Sequence, residues 1–181
     1  MPLPIGHTAI GLAAYETLPS SQNPPSRLAV AAYISFLSNL PDLDILFGLL
    51  LHGNGAAFHR GPTHSLLFAV LAGVIASQMG RVWPGIPRFG FGLSFALIFS
   101  HVLADLLLTD APVSLLWPLE VYWTPGFNGW GNVLHTVVFK SIQDAGIVAV
   151  SLVYLLALRH MRSGDSFRHS LSNLFRVRGH A

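Results

Sequence analysis

Long apolar stretches, interrupted by few charged residues, run through most of the chain. The clearest cover residues 65–80, 89–108 and 145–158, and a fourth over residues 28–51 is broken in its middle by Pro41. A membrane-spanning helix needs about 20 apolar residues, with a usual range of about 17–25. Two of the stretches are shorter than this range, which indicates re-entrant or partly inserted helices. The pattern therefore predicts an all-α integral membrane helical bundle.

A further helix is predicted over residues 5–18, with His7 near its start and Glu16 near its end. We expect no secretory signal, because no basic segment precedes this helix and both polar residues interrupt its apolar run. The bundle then has about four to five helices. We expect one membrane-embedded domain over residues 1–160 and a basic C-terminal tail over residues 161–181.

Composition supports a membrane protein and excludes several other classes. Only 10% of the residues are charged, against about 25% in soluble domains. Because 52% are hydrophobic and the mean hydropathy is +0.56, the chain is not disordered. A net charge of only +2 argues against a nucleic-acid partner, and the lack of cysteine excludes disulfides and thiolate metal sites. Nine histidines nevertheless supply the commonest metal ligand.

Arginines set the predicted orientation, since cytoplasmic loops carry an excess of Lys and Arg. Arg81 and Arg88 lie in one short loop, and five of the ten basic residues lie from Arg159 onward. If both regions are cytoplasmic, the chain crosses the membrane several times and its C-terminal tail is cytoplasmic. The loops at residues 53–62 and 109–141 then share the opposite face.

Ionisable residues inside apolar helices are costly, and each is a functional-site hypothesis by default. His101 and Asp105 are four residues apart, so they share one helix face and can bind one cation together. His64 opens one helix and Asp105 closes the next, so an antiparallel pair brings both to one membrane face. The candidate metal ligands are His7, Asp42, Asp44, His59, His64, His101 and Asp105.

The residue types suit a divalent metal. Neutral imidazoles with carboxylates bind zinc, manganese or iron, and the lack of thiolates disfavours a structural zinc site. Seven candidates are enough for two ions, with zinc as the first choice. Taken singly, the same residues could be hydrogen-bonded core histidines or solvated aspartates; their joint occurrence favours metal. A role without metal is preferred for four other histidines, which are His52, His160, His169 and His180. His135 and Asp144 stay unassigned.

Four motifs occur in the order GHTAIG, LPDLD, HRGPTHSLL and HVLADLL. In this order they resemble the YdjM-like family of membrane-bound metal-dependent hydrolases, also called LexA-binding inner-membrane-associated hydrolases. The resemblance covers about residues 1–118, and HRGPTHS is its most specific part. It implies an α-helical metal-dependent hydrolase of the cell inner membrane, in a family whose substrate is generally not established.

The ligand order is also similar to that of the zinc-dependent phospholipase C and single-strand nuclease superfamily, in which a multi-zinc cluster hydrolyses phosphoesters. By this resemblance the ligands would be His7, Asp42, His59, His101 and Asp105. His64 and Asp44 would be close companions. The superfamily has a later histidine with an acid four residues on, and no such pair follows Asp105 in this chain. Two ions therefore fit better than three.

The expected activity is hydrolysis of a phosphoester at the bilayer surface by a metal-activated water. Arg60 lies between two candidate ligands, where it could bind a phosphate through two hydrogen bonds or reach lipid headgroups from a helix end. Asp44 is either a ligand or the base that orients the water. Asp44 and Arg60 are thus the candidate catalytic residues, and no organic cofactor is expected.

The loop at residues 117–131 contains three of the four tryptophans. Tryptophan concentrates at the membrane–water boundary, so the loop is predicted to anchor the metal-site face rather than to form a substrate pocket. The basic tail is expected to contact anionic headgroups. The expected partners are therefore membrane lipid and a small-molecule or lipid phosphoester, with a protein partner left open.

Two other functions stay open at this stage. In one, the His and Asp residues form a small transporter or metal-ion pathway through the membrane. In the other, the chain is a non-catalytic membrane module with a structural metal site. A site at one helix end favours hydrolysis over transport, and an open coordination position favours hydrolysis over a structural role.

Overall fold

The computed structural model describes residues 3–18, 26–109, 111–119, 121–124 and 144–163. Its helices are α1 (Pro4–Thr17), α2 (Arg27–Asn39), α3 (Leu43–His52), α4 (Leu66–Val82), α5 (Phe91–Leu108) and α6 (Asp144–Ser163). Beyond these helices, the described residues contain two short 3-10 turns and one β-bridge, between Val113 and Trp123. The predicted all-α bundle is confirmed, and the tail from residue 164 onward lies outside the described residues.

Three helices are long and apolar enough to cross a membrane: Arg27–His52, Phe91–Leu108 and Asp144–Arg162. The first of these is α2 and α3 taken together, and α4 is apolar but shorter. Many large apolar side chains are exposed, among them Leu46, Phe47, Leu49, Leu50 and Leu51 of α3. Such extensive apolar exposure is unusual for a soluble monomer and fits lipid contact.

A 3-10 turn at Leu40–Asp42 joins α2 to α3, at the break that Pro41 predicts. Proline lacks an N–H donor and its ring clashes with the preceding helical turn, so a regular helix cannot continue through it. The turn brings Asp42 to the bundle interior, within 3.3 Å of the His101 ring. The break in the helix therefore places the Asp42 side chain inside the bundle.

The core is formed mainly by α2, α4 and α5, with Ile34, Leu37, Leu97 and Ile98 fully buried. The Tyr33 hydroxyl donates to the carbonyl of Ala76 at 2.8 Å, which fixes α2 against α4. This apolar core occupies the middle of the bundle.

The helix directions follow from contacts at the two ends. α4 and α5 are antiparallel, since His64 before α4 meets Asp105 near the end of α5 and Arg88 before α5 donates to Gly80 near the end of α4. α1 and α6 run parallel, because Gly6 contacts Asp144 at one end. As a result, most of the polar residues predicted to bind metal gather at one end of the bundle.

Candidate metal centre

Six side chains converge at one end of the bundle, and all six are predicted ligands. α1 supplies one, the 3-10 turn after α2 supplies one, the segment before α4 supplies two and α5 supplies two. They are His7, Asp42, His59, His64, His101 and Asp105. His7, His64, His101 and Asp105 are at most 1% exposed.

The six residues form two groups that share Asp105. One consists of Asp42, His59, His64 and Asp105, and the other of His7, His101 and Asp105. Within each group, one ligand atom from every residue lies within 4.8 Å of the others. A carboxylate has two oxygens and can therefore belong to two neighbouring cation sites. Each of the two groups could therefore hold one ion, and the number of ions stays a prediction.

Distances between neighbouring ligand atoms in the cluster match those between atoms that bind metal ions. His64 Nε2 lies 3.6 Å from Asp42 Oδ1 and 3.5 Å from Asp105 Oδ2. His101 Nε2 lies 3.3 Å from Asp42 Oδ1. Ligands bound tetrahedrally at about 2.1 Å lie about 3.4 Å from each other. The residues are therefore already at the separation that a bound ion requires.

In both His64 and His101, the Nδ1 atom makes a hydrogen bond on the outer side of the ring and the Nε2 atom points into the cluster. His101 Nδ1 donates to the Ser38 carbonyl at 2.7 Å. The Thr63 hydroxyl donates to Asp44 at 2.5 Å, so its oxygen can accept from His64 Nδ1 at 3.1 Å. Without a bound cation, the raised pKa of His64 keeps a proton on its ring, so His64 Nε2 donates to His101 Nε2 at 3.3 Å. A bound cation would take the place of this proton. Outer partners of this kind fix the tautomer of metal-binding histidines.

Asp44 lies behind the histidines and belongs to neither ligand group. Its carboxylate accepts from His59 Nδ1 at 3.1 Å and lies 3.4 Å from His64 Nδ1. The structure therefore places Asp44 where it can orient two candidate ligands. Its role as a ligand or as a catalytic base stays a prediction.

Several inward-facing atoms have no hydrogen-bond partner although they are buried. Buried polar groups in folded proteins nearly always have such a partner, and each exception needs an explanation. Convergence of the exceptions on one small volume points to a cation as the missing partner. The candidate ligand atoms in this condition are His7 Nδ1 and Nε2, Asp42 Oδ1, His59 Nε2, and both Asp105 oxygens.

The charge balance also favours a cation. Asp42, Asp44 and Asp105 bring three carboxylates, and Arg60 is the cation paired with one of them, Asp105, at 3.3 Å. Burial opposes a charge on His64, but the carboxylates of Asp105, Asp42 and Asp44 outweigh it and raise the pKa of His64 to about 10. Burying unpaired carboxylates costs several kcal/mol each, so positive charge at this position is strongly stabilising.

His7 is held in its neutral form. Burial, reinforced by the neighbouring His101, lowers the pKa of His7 to about 3. The two rings stack with their centroids 3.7 Å apart, and His7 Nε2 lies 3.6 Å from Asp105 Oδ1. Neutral imidazole is the form that binds metals.

The glycines of GHTAIG explain how α1 comes close enough to deliver His7. A Cβ on Gly6 would lie 2.8 Å from the Asp144 carboxylate, and one on Gly11 would collide with the Ser38 side chain. Asp144 uses this proximity to accept from the backbone N–H of Leu3 at 2.6 Å and of Gly6 at 3.0 Å. It caps the start of α1, which has no cap from its own N-terminal residue.

Arg60 is buried, and its guanidinium makes three contacts with the protein. It donates to Thr109 Oγ1 at 2.8 Å and to the Ala111 carbonyl at 3.1 Å, besides its contact with Asp105. Its φ of 66° is rare for a residue with a side chain, and such strain is concentrated at functional sites. The position lets Arg60 orient Asp105. Contact of Arg60 with a phosphate or with lipid headgroups stays a prediction.

A cleft of about 460 Å³ borders the ligand cluster at His59 and Arg60. Phe58, Trp117 and Tyr122 contribute aromatic surface to it. Two aromatic residues of the loop predicted to be a membrane anchor thus line the opening beside the site. Trp123 of the same loop is half exposed, and residues 125–143 lie outside the described residues.

The remaining histidines do not join the cluster where the structure describes them. His52 and His160 are exposed on other parts of the surface. His135, His169 and His180 lie outside the described residues. The sequence reasoning missed four supporting residues, which are Ser38, Thr63, Thr109 and Asp144. An acid at the first position of an apolar helix was the available signal for Asp144.

Comparison with known proteins identifies the family of this chain. The YdjM inner membrane protein family matches residues 1–165. The chain belongs to this family. Inner membrane protein YbcI of Escherichia coli (strain K12) is 40% identical over 124 residues, which are 65% of this chain and 68% of that protein. No solved structure matches the chain. This member of the YdjM family is thus an inner membrane protein whose buried His/Asp cluster could hold a metal.

Proposed function

We propose that this protein is a membrane-bound metal-dependent hydrolase that cleaves a phosphoester at the bilayer surface. One observation carries the proposal: two groups of buried ligand atoms share Asp105, and several of these atoms have no hydrogen-bond partner. Without a bound cation, such a cluster would leave lone pairs without a partner and excess negative charge in the protein interior, and both raise the free energy of the folded state. Two bound divalent ions would remove both costs.

The donors suit zinc first, with manganese or iron as alternatives, since all are imidazole nitrogens or carboxylate oxygens. Asp42, His59, His64 and Asp105 would hold one ion, and His7, His101 and Asp105 the other. Two ions in such a site activate a water molecule and stabilise the oxygens of a phosphoester during its displacement.

The protein's own residues prepare the site for this chemistry. Arg60 fixes the Asp105 carboxylate, and Asp44 fixes the rings of His59 and His64. The cleft beside His59 would admit the substrate, and its aromatic side chains Trp117 and Tyr122 would contact the apolar part of a lipid or other amphiphilic phosphoester.

Two features favour hydrolysis over the alternatives. A structural metal site is closed, whereas the His59 side chain is 13% exposed and borders a cleft. A transport pathway would need polar residues along its length. Here His64 precedes α4 and Asp105 lies near the end of α5, so the candidate ligands lie toward one end of the bundle.

We assign a multi-pass topology with a cytoplasmic C-terminal tail, because Arg81 and Arg88 mark one side of the membrane. The natural chain has no cysteine, which allows a labelling test with single cysteines. Ala56→Cys, before α4, should react with an impermeant maleimide on intact cells. Gly85→Cys, between α4 and α5, should react only after permeabilisation. The reverse pattern would contradict this orientation.

The activity test uses purified full-length protein reconstituted with zinc or manganese. We expect metal-dependent hydrolysis of bis(p-nitrophenyl) phosphate or of phospholipid in mixed micelles, and at least a 100-fold loss in Asp105→Asn. His160→Gln, an exposed position on α6, is the matched control and should keep full activity. Bound metal without hydrolysis of any phosphomonoester, phosphodiester or phospholipid tested would instead support a structural metal module.

A further inference from the structure

A second cleft lies away from the metal centre, between α1, α2 and α6. Its volume is about 570 Å³, and Leu12, Tyr15 and Ala31 form its accessible apolar floor. Arg27, Arg159 and Glu16 form a charged rim. Glu16 is nine residues after His7 on α1, which places the rim about 13 Å farther along the helix axis.

The rim carries more positive than negative charge. Arg159 Nη2 lies 3.7 Å from Glu16 Oε1, and Arg162 Nη1 lies 4.0 Å from Glu16 Oε2. One carboxylate thus faces two arginines, while Arg27 adds a third cation from α2. The side chains of Arg159 and Arg162 are 71% and 55% exposed, so their guanidinium groups can contact a ligand.

The helices that form the cleft place it at a membrane boundary. Arg27 begins the candidate span Arg27–His52, and Arg162 ends the candidate span Asp144–Arg162. Arginines at such positions reach the headgroup layer, where each attracts anionic lipid by about 1 kcal/mol. The apolar floor at Leu12, Tyr15 and Ala31 then lies at the depth of the acyl chains.

We infer that this cleft binds one anionic phospholipid. Its phosphate contacts Arg27 and Arg159, and an acyl chain packs against Leu12, Tyr15 and Ala31. The rim discriminates against zwitterionic phospholipids, whose positive headgroup would face the arginines. A second copy of the chain is disfavoured as occupant, because it would bring the same arginines together. The inference is independent of the proposed hydrolase activity.

The test measures binding to delipidated full-length protein in neutral detergent by native mass spectrometry. The probes are phosphatidylglycerol and phosphatidylcholine with identical acyl chains. We expect the wild-type protein to bind phosphatidylglycerol at least tenfold more tightly. Arg27→Gln and Arg159→Gln should each weaken this binding by about fivefold, the equivalent of one headgroup contact.

The matched control is Arg81→Gln, which removes the same charge from an arginine on α4 that contacts Gln78 at 2.8 Å. It should leave phosphatidylglycerol binding unchanged. Equal binding of the two lipids, or equal loss in Arg81→Gln and Arg27→Gln, would overturn the inference. Full displacement of the lipid by millimolar inorganic phosphate would also overturn it, since a free anion does not use the apolar floor. Metal content should stay unchanged in Arg27→Gln.

Discussion

The Nε2 atoms of His64 and His101 face each other at 3.3 Å deep in the bundle. The Nδ1 atom of His101 is already committed to the Ser38 carbonyl, and the Nδ1 atom of His64 to Thr63. Two nitrogen lone pairs at this distance would repel, so one of the two atoms must carry a proton or bind a cation. His64 and His101 belong to different ligand groups, so the pair stands where the two candidate ion sites meet, beside the Asp105 that both groups share.

Asp44 is predicted to act on metal affinity through the histidines that it orients. Asp44→Ala should weaken zinc binding about 10- to 100-fold, the usual cost of losing an outer-shell partner. At saturating zinc the metal count should stay unchanged, because the ligand groups do not include Asp44. Isothermal titration with competing chelators measures both quantities. Loss of a whole zinc equivalent at saturation would instead identify Asp44 as a direct ligand.

Arg60 is predicted to stabilise the fold by holding Asp105. Arg60→Gln leaves a buried carboxylate without its cation, which costs about 3–5 kcal/mol. Thermal denaturation of the metal-free protein should therefore show a clearly lower midpoint. Saturating metal should restore part of the loss, because the ions then neutralise Asp105. An unchanged midpoint would show that Arg60 is free to contact substrate.

Asp144 is predicted to position His7 through the start of α1. Asp144→Ala removes the acceptor for two backbone N–H groups, at a cost of about 1 kcal/mol. It should selectively weaken the metal site that His7 completes, measured as lower affinity for one of two equivalents. Gly6→Ala should act in the same direction, since its Cβ would press on Asp144.

Ser26→Ala is the matched control for Asp144→Ala. Ser26 caps α2 by accepting from Ala29 N–H at 3.0 Å, away from the ligand cluster. Its loss should cost a similar free energy of unfolding and leave both metal affinities unchanged. Equal effects of the two substitutions on metal binding would mean that Asp144 acts only through general stability.

Most of the fold could be predicted from the sequence because lipid-facing helices leave a strong signal. The predicted 89–108 and 145–158 stretches correspond to α5 and α6, and Pro41 marks the observed bend. The separate roles of the two aspartates beside this bend could not be predicted. Asp42 and Asp44 are two residues apart, and only the path of the 3-10 turn places one inward and the other behind the rings.

Other contacts of the site could not be predicted from the sequence, for physical reasons. His101 Nδ1 donates to the backbone carbonyl of Ser38, and a residue of any type at position 38 could supply this carbonyl. The contact between Asp144 and Gly6 joins residues 138 positions apart. The residue that caps α4 is also not evident from the sequence, because Thr63 and Ser65 both precede the helix. Ser65 accepts from Phe68 N–H, while the Thr63 hydroxyl donates to Asp44.

The most direct test of the metal centre is the metal content of the purified protein, measured by mass spectrometry. Wild type and His101→Ala should be compared after reconstitution with zinc, manganese or iron. We expect two divalent ions per chain in the wild type and a large loss in the variant, because His101 Nε2 lies between the two ligand groups. No bound metal in the wild type under any of these conditions would contradict the proposed metal centre and the hydrolase proposal with it.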